Sequence, residues 1–441
     1  ADLEDIDVAF EGGETVPKET ILKQDRDKLS IAAYNVENFS ANTSETSEEK
    51  AANIARAIVQ DMHAPDIVGL IEMQDNNGMD SGPEDADASE TFTRLIQVIE
   101  EAGGPTYDYV NINPIYNEDG GAPNSNIRVG FIYNKDRVSL VDGEIGTAEE
   151  TVEYKNGELT LNPGRVGPNE AAFESSRKPL AAQFEFDGET FVAIANHLNS
   201  KRGDEAIFGQ IQPPTLKSEP QRMEQAAILN NFMREIQEDN PDENIIVLGD
   251  MNDFEFSNPI EELKGDILTN LIDHVPAEKR YTYVFQGNSQ VLDHILVSNN
   301  LAQHSEVDIL HVNADFTPMH GRASDHDPVL AHIDLTKTDV ETDEGDEEEQ
   351  GTNGSGNNEE DDKSDGELSG DGAKEDTEQN DEDSNETYGI KDDIDGEVAT
   401  NDDDHESELP NTATSMYTYL FIGIILTAAG ITIVIIRRVK V

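Results

Sequence analysis

Acidic, amide and imidazole side chains follow several apolar runs along this chain. They are Asn35, Glu37, Glu72, His197, Asn199, Asp250, Asn252, Asp293, Asp325 and His326. Carboxylate and amide oxygens are hard ligands that suit Mg²⁺, Mn²⁺ or Ca²⁺. Histidine can act as a base, an acid or an electrostatic stabiliser near neutral pH. Cleavage of a phosphoester needs a Lewis acid, an oriented water and help for the leaving group, so these residue types predict metal-assisted phosphoryl chemistry.

The apolar runs predict strands that must bring these residues together. The predicted strands are 29–39, 65–72, 129–133, 191–197, 244–250, 292–297 and 329–335, and amphipathic helices are predicted at 47–62, 91–102 and 221–238. Several strands end on a polar residue, and helices lie between some of them. We therefore expect a layered α/β domain whose site lies where the strands end. The sequence contains no glycine-rich dinucleotide fingerprint and no phosphate-binding loop motif.

Six short motifs resemble, in order, those of the endonuclease/exonuclease/phosphatase family. They are Tyr-Asn-Val-Glu-Asn at 34–38, Leu-Ile-Glu at 70–72, Asn-His-Leu-Asn-Ser at 196–200, Gly-Asp-Met-Asn at 249–252, Leu-Asp-His-Ile-Leu at 292–296 and Ser-Asp-His-Asp-Pro at 324–328. The first motif and Tyr-Thr-Tyr-Val-Phe at 281–285 look most like the bacterial extracellular nuclease branch. Any one of these residues alone is explained by a turn or a helix cap, so the ordered set is the specific signal. The resemblance implies a four-layer α/β sandwich, two packed β-sheets flanked by helices, over residues 29–336.

The resemblance also implies a role for each polar residue. Glu72 is expected to be the main metal ligand, and Mg²⁺ is the expected ion, with Mn²⁺ or Ca²⁺ as alternatives. The positions expected to assist the metal or the phosphate are Asn35, Glu37 and Asp325. The pair expected to orient the water and stabilise the transition state is Asp250 and Asn252.

Two histidines and three further residues complete the implied site. His326, held by Asp293, is expected to act as a base or as a phosphate stabiliser. His197 resembles a histidine for which leaving-group protonation is proposed, but the sequence does not reveal the carboxylate that should pair with it. The candidate phosphate contacts are Asn199, Arg128 and Arg177.

The net charge of the 441-residue chain is −64, which is unusual for a protein that acts on nucleic acid. Residues 1–336 contain about 23 basic and 63 acidic residues. Against this, a local cationic site or bound divalent ions would suffice at the reacting phosphate, and salt screens long-range repulsion. The chain has no cysteine, which excludes disulfides and thiolate metal ligands.

The end of the chain differs in composition from the rest. Residues 337–408 hold 31 acidic residues and four lysines and predict a disordered acidic spacer. Leu-Pro-Asn-Thr-Ala at 409–413 precedes an uncharged run at 417–436, long enough for a transmembrane helix, and a basic end. This order resembles the cell-wall sorting signal of Gram-positive surface proteins. The resemblance implies cleavage by a sortase between Thr412 and Ala413 and attachment to peptidoglycan, although glycine is usual at the Ala413 position. A plain single-pass membrane anchor is the alternative.

The sequence therefore predicts an extracellular nuclease, anchored to the wall or membrane of a Gram-positive bacterium, that hydrolyses DNA, with RNA as a further candidate substrate. Two alternatives stay open. One is another phosphoesterase of the same fold, of the sphingomyelinase or inositol-phosphate phosphatase type. The other is an inactive surface adhesin. Residues 1–28 are interpreted as a leader or the end of an upstream module.

Overall fold

Strands and helices alternate irregularly in the computed structural model, which describes residues 19–80, 86–121 and 126–336. The strands are β1 (Leu29–Phe39), β2 (Ile67–Met73), β3 (Tyr107–Asn111), β4 (Arg128–Asn134), β5 (Val138–Leu140), β6 (Tyr154–Lys155), β7 (Glu158–Leu159), β8 (Gly164–Arg165), β9 (Leu180–Phe186), β10 (Glu189–His197), β11 (Asn244–Asp250), β12 (Leu268–Asn270), β13 (Tyr283–Phe285), β14 (Asn288–Gln290), β15 (Asp293–Ser298), β16 (Ser305–Ile309) and β17 (Val329–Ile333). The α-helices are α1 (Glu48–Arg56), α2 (Ser89–Glu101), α3 (Glu219–Asp239), α4 (Asn258–Lys264) and α5 (Asn299–Ala302). A π-helical turn, Ala57–Asp61, continues α1, and short 3-10 turns occupy Gly78–Asp80, Ala171–Phe173, Leu271–His274, Ala277–Lys279 and Pro318–His320.

Most of the strands form two sheets. The first has the order β16-β17-β1-β2-β4-β3, and the second has the order β12-β15-β11-β10-β9-β5, with β8 also paired to β9. Two small hairpins, β6–β7 and β13–β14, lie outside these sheets. In each sheet one central pair is parallel, β1 with β2 and β10 with β11, while their other neighbours run antiparallel.

Three hydrophobic clusters define four layers. The central cluster joins the facing sides of the two sheets through residues such as Ile31, Phe184 and Ile246. A second cluster packs α1 and α2 on the outer face of the first sheet, and a third packs α3 and α4 on the outer face of the second. The predicted mixed α/β fold with two packed sheets is thus confirmed, and helices cover both outer faces.

The predicted elements coincide closely with those observed. Ser47 caps α1 by accepting a hydrogen bond from the backbone N–H of Lys50, so the helix begins where the sequence predicts it. The pattern missed β9, a buried strand without a polar end, and the short edge strands. Thr20 also donates a hydrogen bond to Asp308 (2.8 Å), and Leu22 is buried in the second cluster, so chain before β1 packs on this domain.

The predicted spacer at 337–408, the sorting signal at 409–441 and the transmembrane segment at 417–436 lie outside the described residues, as do residues 1–18. These assignments stay predictions. Among the helices that are described, none has both the length and the apolar composition needed to cross a membrane.

Candidate active site

Three of the predicted site residues form a row across the second sheet. His197 at the end of β10 pairs with Asp250 at the end of β11, and Asp250 pairs with Asp293 at the start of β15. Side chains two residues apart on a strand share a face. The row therefore continues the face of Ala195, Leu248 and Ile295, which line the core between the sheets. The sheet register thus places an imidazole and two carboxylates side by side where the hydrophobic core ends.

Glu72 reaches the same place through an irregularity in β2. Strand alternation would direct it to the outer face, because Leu70 lies in the cluster under the helices. Glu72 instead has a left-handed backbone (φ 65°), and the pairing of β2 with β4 shifts register between Leu70 and Met73. Its carboxylate accepts hydrogen bonds from Asn35 Nδ2 (3.3 Å) and from the backbone N–H of Asn38 (3.1 Å). A β-bulge therefore turns Glu72 into the site, a common use of bulges beside active sites.

Asn35 connects the two sheets at the site. It is fully buried on β1, and its Nδ2 donates to Glu72 and to Asp250 Oδ2 (3.2 Å). Its Oδ1 accepts a hydrogen bond from the backbone N–H of Glu37 (3.0 Å), which fixes the orientation of the amide. In this orientation Asn35 directs its NH₂ group at both carboxylates. It therefore positions Glu72 and Asp250, and its own oxygen does not face a cation bound between them.

His326 is held by a buried carboxylate. Its Nδ1 lies 2.7 Å from Asp293 Oδ2, and its Nε2 lies 3.8 Å from Asp250 Oδ2. Burial alone would lower the pKa of His326, but the charges of Asp293 and Asp250 outweigh it and raise the pKa well above its usual value. His326 is therefore an imidazolium at neutral pH. Ser324 fixes the preceding turn, because its hydroxyl donates to the carbonyl of Asn35 (2.6 Å) and accepts from the N–H of His326 (3.1 Å).

At Asp250 and His197 burial has more effect on the pKa than the neighbouring charges, the reverse of the case of His326. Burial raises the pKa of Asp250 to about 7, although His326 lowers it. Asp250 Oδ1 accepts a hydrogen bond from the N–H of Asn252 (2.8 Å), whose backbone is left-handed at φ 51°. Burial lowers the pKa of His197 well below its usual value, and the cations Arg177 and His326 add to this effect. His197 is therefore a neutral imidazole, with Nε2 at 3.5 Å from Asp250 and at 3.9 Å from Glu72.

The donor set fits a divalent cation. Burial raises the pKa of Glu72, and the neighbouring Asp325 raises it further against the effects of His326 and Asn35. Asp293 Oδ1 is buried with no hydrogen-bond partner among the described residues. Asp250, Asp293 and His326 also place one ligand atom each within 4.8 Å of one another. The carboxylates of Glu72, Asp250 and Asp325 line one cleft, and a hard cation would neutralise the negative charge they carry there, so these three could hold one.

A cleft opens over these groups. Glu72, His197, Asp250, Asn252, Asp325 and His326 all line one cavity of ≈ 580 Å³. Arg177 is buried behind them and donates to the carbonyl oxygen of Leu198 (2.6 Å). Together with Glu72, His197 and Asn199, it lines an adjoining cavity of ≈ 510 Å³. The structure therefore brings most of the predicted set to one end of the sandwich.

A family model agrees with this geometry. Residues 163–319 match the model described as the Endonuclease/Exonuclease/phosphatase family, a stretch that includes His197, Asp250 and Asp293. This part of the chain is therefore similar to that family. Members of the family are hydrolases that act on phosphoester bonds.

Solved structures give weaker likenesses. An endonuclease/exonuclease/phosphatase from Bacteroides vulgatus is 17% identical with a TM-score of 0.44, covering 69% of this chain and 98% of that chain. A humanized D. rerio TDP2 is 19% identical with a TM-score of 0.42, covering 70% and 99%. A mannosyl-6-phosphatase from Bacteroides thetaiotaomicron is 19% identical with a TM-score of 0.40, covering 69% and 99%. Such low scores carry no argument about the substrate. No curated protein matches the chain.

Two residues expected from the family resemblance lie elsewhere. The carboxylate of Glu37 forms an ion pair with Lys50 of α1 (3.2 Å). The guanidinium of Arg128 is buried, pairs with Asp75, and donates to Asn113 Oδ1 (2.7 Å) and to the carbonyl oxygen of Ala86 (2.6 Å). Arg128 therefore joins buried parts of the fold to one another and does not line the cleft.

In the part of the chain that the structure describes, no carboxylate bonds to Nδ1 of His197, although Asp250 lies 3.5 Å from its Nε2. His197 Nδ1 is buried and has no hydrogen-bond partner among the described residues.

Two hydroxyl groups at the site were given no role by the sequence, those of Ser324 and Thr282. The Thr282 hydroxyl accepts the N–H groups of Leu292 (3.0 Å) and Asp293 (3.2 Å). Ser324 stands inside the Ser-Asp-His motif, so its place in that motif was the available signal. Thr282 likewise stands inside the Tyr-Thr-Tyr-Val-Phe stretch at 281–285, which marks the segment but not the role of this hydroxyl.

Proposed function

We propose that this domain hydrolyses phosphodiester bonds in nucleic acid, DNA in particular, with the help of a bound divalent cation. The observation that carries the proposal is the convergence of Glu72, Asp250 and His326 on one cleft from separate parts of the chain. Mg²⁺ is the ion we expect, since all the candidate ligand atoms are hard oxygens. When bound, it would supply a Lewis acid for the phosphate.

The residues of the chain would divide the remaining work. Asp250, oriented by the N–H of Asn252, is placed to accept a proton from an attacking water. His326 is protonated and can donate Nε2–H to a phosphate oxygen, so its geometry favours phosphate stabilisation over the role of base. His197 is neutral and can protonate a leaving oxygen only if the bound phosphate raises its pKa.

Two single variants test this assignment. His326→Ala and Asp250→Ala should each reduce cleavage of plasmid DNA by at least about 100-fold, the range expected for loss of a donor that stabilises the transition state or of a group acting in proton transfer. Far-ultraviolet circular dichroism should show that both variants fold. The exposed His274 lies outside the cleft, so His274→Ala is the matched control and should retain full activity. Near-normal rates in either site variant would show that the assignment is wrong.

Chelation tests the cation and the substrate class together. The purified chain is incubated with plasmid DNA, RNA and sphingomyelin in the presence of Mg²⁺, Ca²⁺ or EDTA. We expect DNA cleavage that stops in EDTA and returns with added Mg²⁺. A chain that cleaves neither DNA nor RNA under any of these conditions would rule out the nuclease proposal.

A different phosphoesterase of the same fold is the second candidate. The observation in its favour is the acidity of residues 1–336, which repels a polyanion more strongly than it repels a small substrate. Cation-dependent hydrolysis of sphingomyelin or of an inositol phosphate, with nucleic acid left intact, would establish this alternative. If no substrate is cleaved, the remaining candidate is an inactive surface adhesin.

We also propose that the chain is anchored on the outside of a Gram-positive cell. The support is the order of Leu-Pro-Asn-Thr-Ala at 409–413, the uncharged run at 417–436 and the basic residues after it. Mass analysis of wall digests should find a fragment that ends at Thr412 joined to a cell-wall peptide. An intact C-terminus recovered from membranes would favour a plain transmembrane anchor.

A further inference from the structure

Two cavities meet at the reacting groups. The cleft of ≈ 580 Å³ and the adjoining cavity of ≈ 510 Å³ share Glu72, His197, Ser200 and Arg202 in their walls. The candidate reaction centre therefore has room for substrate on both sides. A terminal phosphate needs space on one side only, whereas a bond inside a chain needs space on both.

The first cavity has exposed aromatic walls. Phe208, in the segment between β10 and α3, is 82% exposed, and Phe285, in the β13–β14 hairpin, is 51% exposed, yet both line this cavity. Tyr283 lines it as well. The centroid of its ring lies 4.7 Å from that of His326 and 6.4 Å from that of Phe285. Single exposed apolar residues are ordinary on a protein surface. Two exposed rings and a third ring in the wall of one cavity are an unusual combination. Flat rings of this kind suit stacking of unpaired bases.

The second cavity has a polar wall. Arg177 lines it, and its buried Nε has no hydrogen-bond partner among the described residues. Asn38, Asn199 and Ser175 stand in the same wall. Arg202 is exposed and reaches both cavities. These groups suit the phosphate and sugar of a nucleotide better than its base.

We propose that an unpaired nucleic-acid strand lies across both cavities, with bases stacked on Phe208 and Phe285 and its backbone continuing past Arg177. Cleavage is then internal to the strand. This inference rests on the proposed nuclease function. A single strand suits so acidic a domain better than a duplex does, because its charge density is lower and stacking needs no cationic surface.

Circular substrates test the internal mode of cleavage. The full chain with Mg²⁺ is given circular single-stranded DNA, closed circular duplex DNA, linear single-stranded DNA and bis(p-nitrophenyl) phosphate. We expect the single-stranded circle to be opened about 10-fold faster than the duplex, as expected when one stacked base is lost. Cleavage of linear strands but not of circles, or preference for the duplex, would overturn the inference. Loss of hydrolysis on every substrate would instead count against the proposed function itself.

Substitutions at the two exposed rings test the stacking. Phe208→Leu and Phe285→Leu keep an apolar side chain but remove the ring face. Each should raise KM for single-stranded DNA about 10-fold relative to KM for the small diester. Phe208→Trp and Phe285→Trp keep a ring face and should show the wild-type KM ratio. Phe256 is 75% exposed and does not line either cavity, so Phe256→Leu is the control and should not change this ratio.

A lipid surface is the competing occupant for exposed apolar side chains. Sedimentation with phosphatidylcholine vesicles distinguishes the two. We expect Phe208→Leu and Phe285→Leu to leave any vesicle binding unchanged, because the C-terminal apolar run is the same in wild type and variants. If Phe208→Leu and Phe285→Leu leave the KM ratio unchanged but abolish vesicle binding, these rings serve a membrane and the inference is wrong.

Discussion

The ion pair between Asp293 and His326 shows how single side chains set the chemistry of this site. His326 is buried, and burial favours a neutral imidazole, yet Asp293 at 2.7 Å keeps it charged. His197 lies on the other side of Asp250, has no carboxylate on its Nδ1 among the described residues, and is neutral. Two histidines close to one aspartate thus differ in charge. Asp293 bonds to Nδ1 of His326, whereas burial and the nearby cations Arg177 and His326 keep His197 neutral.

Asp293→Asn should separate these effects. An asparagine keeps the shape of the side chain but removes the charge, so the pKa of His326 falls and the imidazolium is lost near neutral pH. We expect DNA cleavage to fall about 100-fold, and the titration of His326, followed by nuclear magnetic resonance in EDTA, to move to lower pH.

The same substitution has a stability consequence whose sign is fixed. The folded-state pKa of His326 is raised, so the pair stabilises the wild-type fold fully below the ordinary histidine pKa of about 6.5. This contribution is lost as the pH rises through the folded-state value. The difference in free energy of unfolding between wild type and Asp293→Asn should therefore be largest at mildly acidic pH. A difference that grows toward alkaline pH would contradict the assigned charge state.

Residue types were predictable from the sequence here, but partners were not. The motifs marked Asp250, Asp293 and His326, and the structure brings them together. Glu37 and Arg128 were also predicted at the site, yet Lys50 of α1 pairs with Glu37 and buried Asp75 pairs with Arg128. Such pairs depend on where distant elements pack, which strand and helix periodicity do not encode.

At the scale of elements, the site depends on departures from regular strands. Glu72 and Asn252 both have left-handed backbones, and so does Gly249, just before Asp250, at φ 129°. Periodicity predicted that strands end near these residues, and β10 and β11 end at His197 and Asp250 as expected. It could not predict the bulge that turns Glu72 inward, because alternation alone assigns that side chain to the helical face.

Gly249→Ala tests how tightly the end of β11 is constrained. A Cβ at Gly249 would overlap the carbonyl oxygen of Asn196 on the paired strand β10. We expect a loss of about 1–3 kcal/mol in unfolding free energy, measured by urea titration, and a larger loss of activity because Asp250 is displaced.

Gly188, in the turn between β9 and β10, is the matched control. It also has a positive φ (87°), but a Cβ there meets no atom within 4 Å. Gly188→Ala should therefore show backbone strain alone, about 1 kcal/mol, with normal cleavage per folded molecule. Equal effects of the two substitutions on activity would mean that the close approach of β10 and β11 does not position Asp250.

At the scale of the whole molecule, the net charge opposes binding of the substrate that we propose. Residues 1–336 carry about 63 acidic and 23 basic residues, so the domain repels the polyanion on which we propose it acts. The cationic groups that could oppose this, Arg177, Arg202 and His326, lie at or beside the cleft. Attraction is therefore short-ranged and repulsion long-ranged.

Moderate salt should consequently raise the proposed activity. Raising NaCl from about 10 mM to about 150 mM shortens the Debye length from roughly 30 Å to roughly 8 Å, which screens the distant acidic surface more than contacts inside the cleft. At fixed Mg²⁺, we expect kcat/KM for single-stranded DNA to rise several-fold over this range, whereas a basic nuclease loses affinity. Bis(p-nitrophenyl) phosphate carries one charge and should show a much smaller change. If kcat/KM falls steeply over this range, the cleft and not the acidic surface governs encounter with the strand.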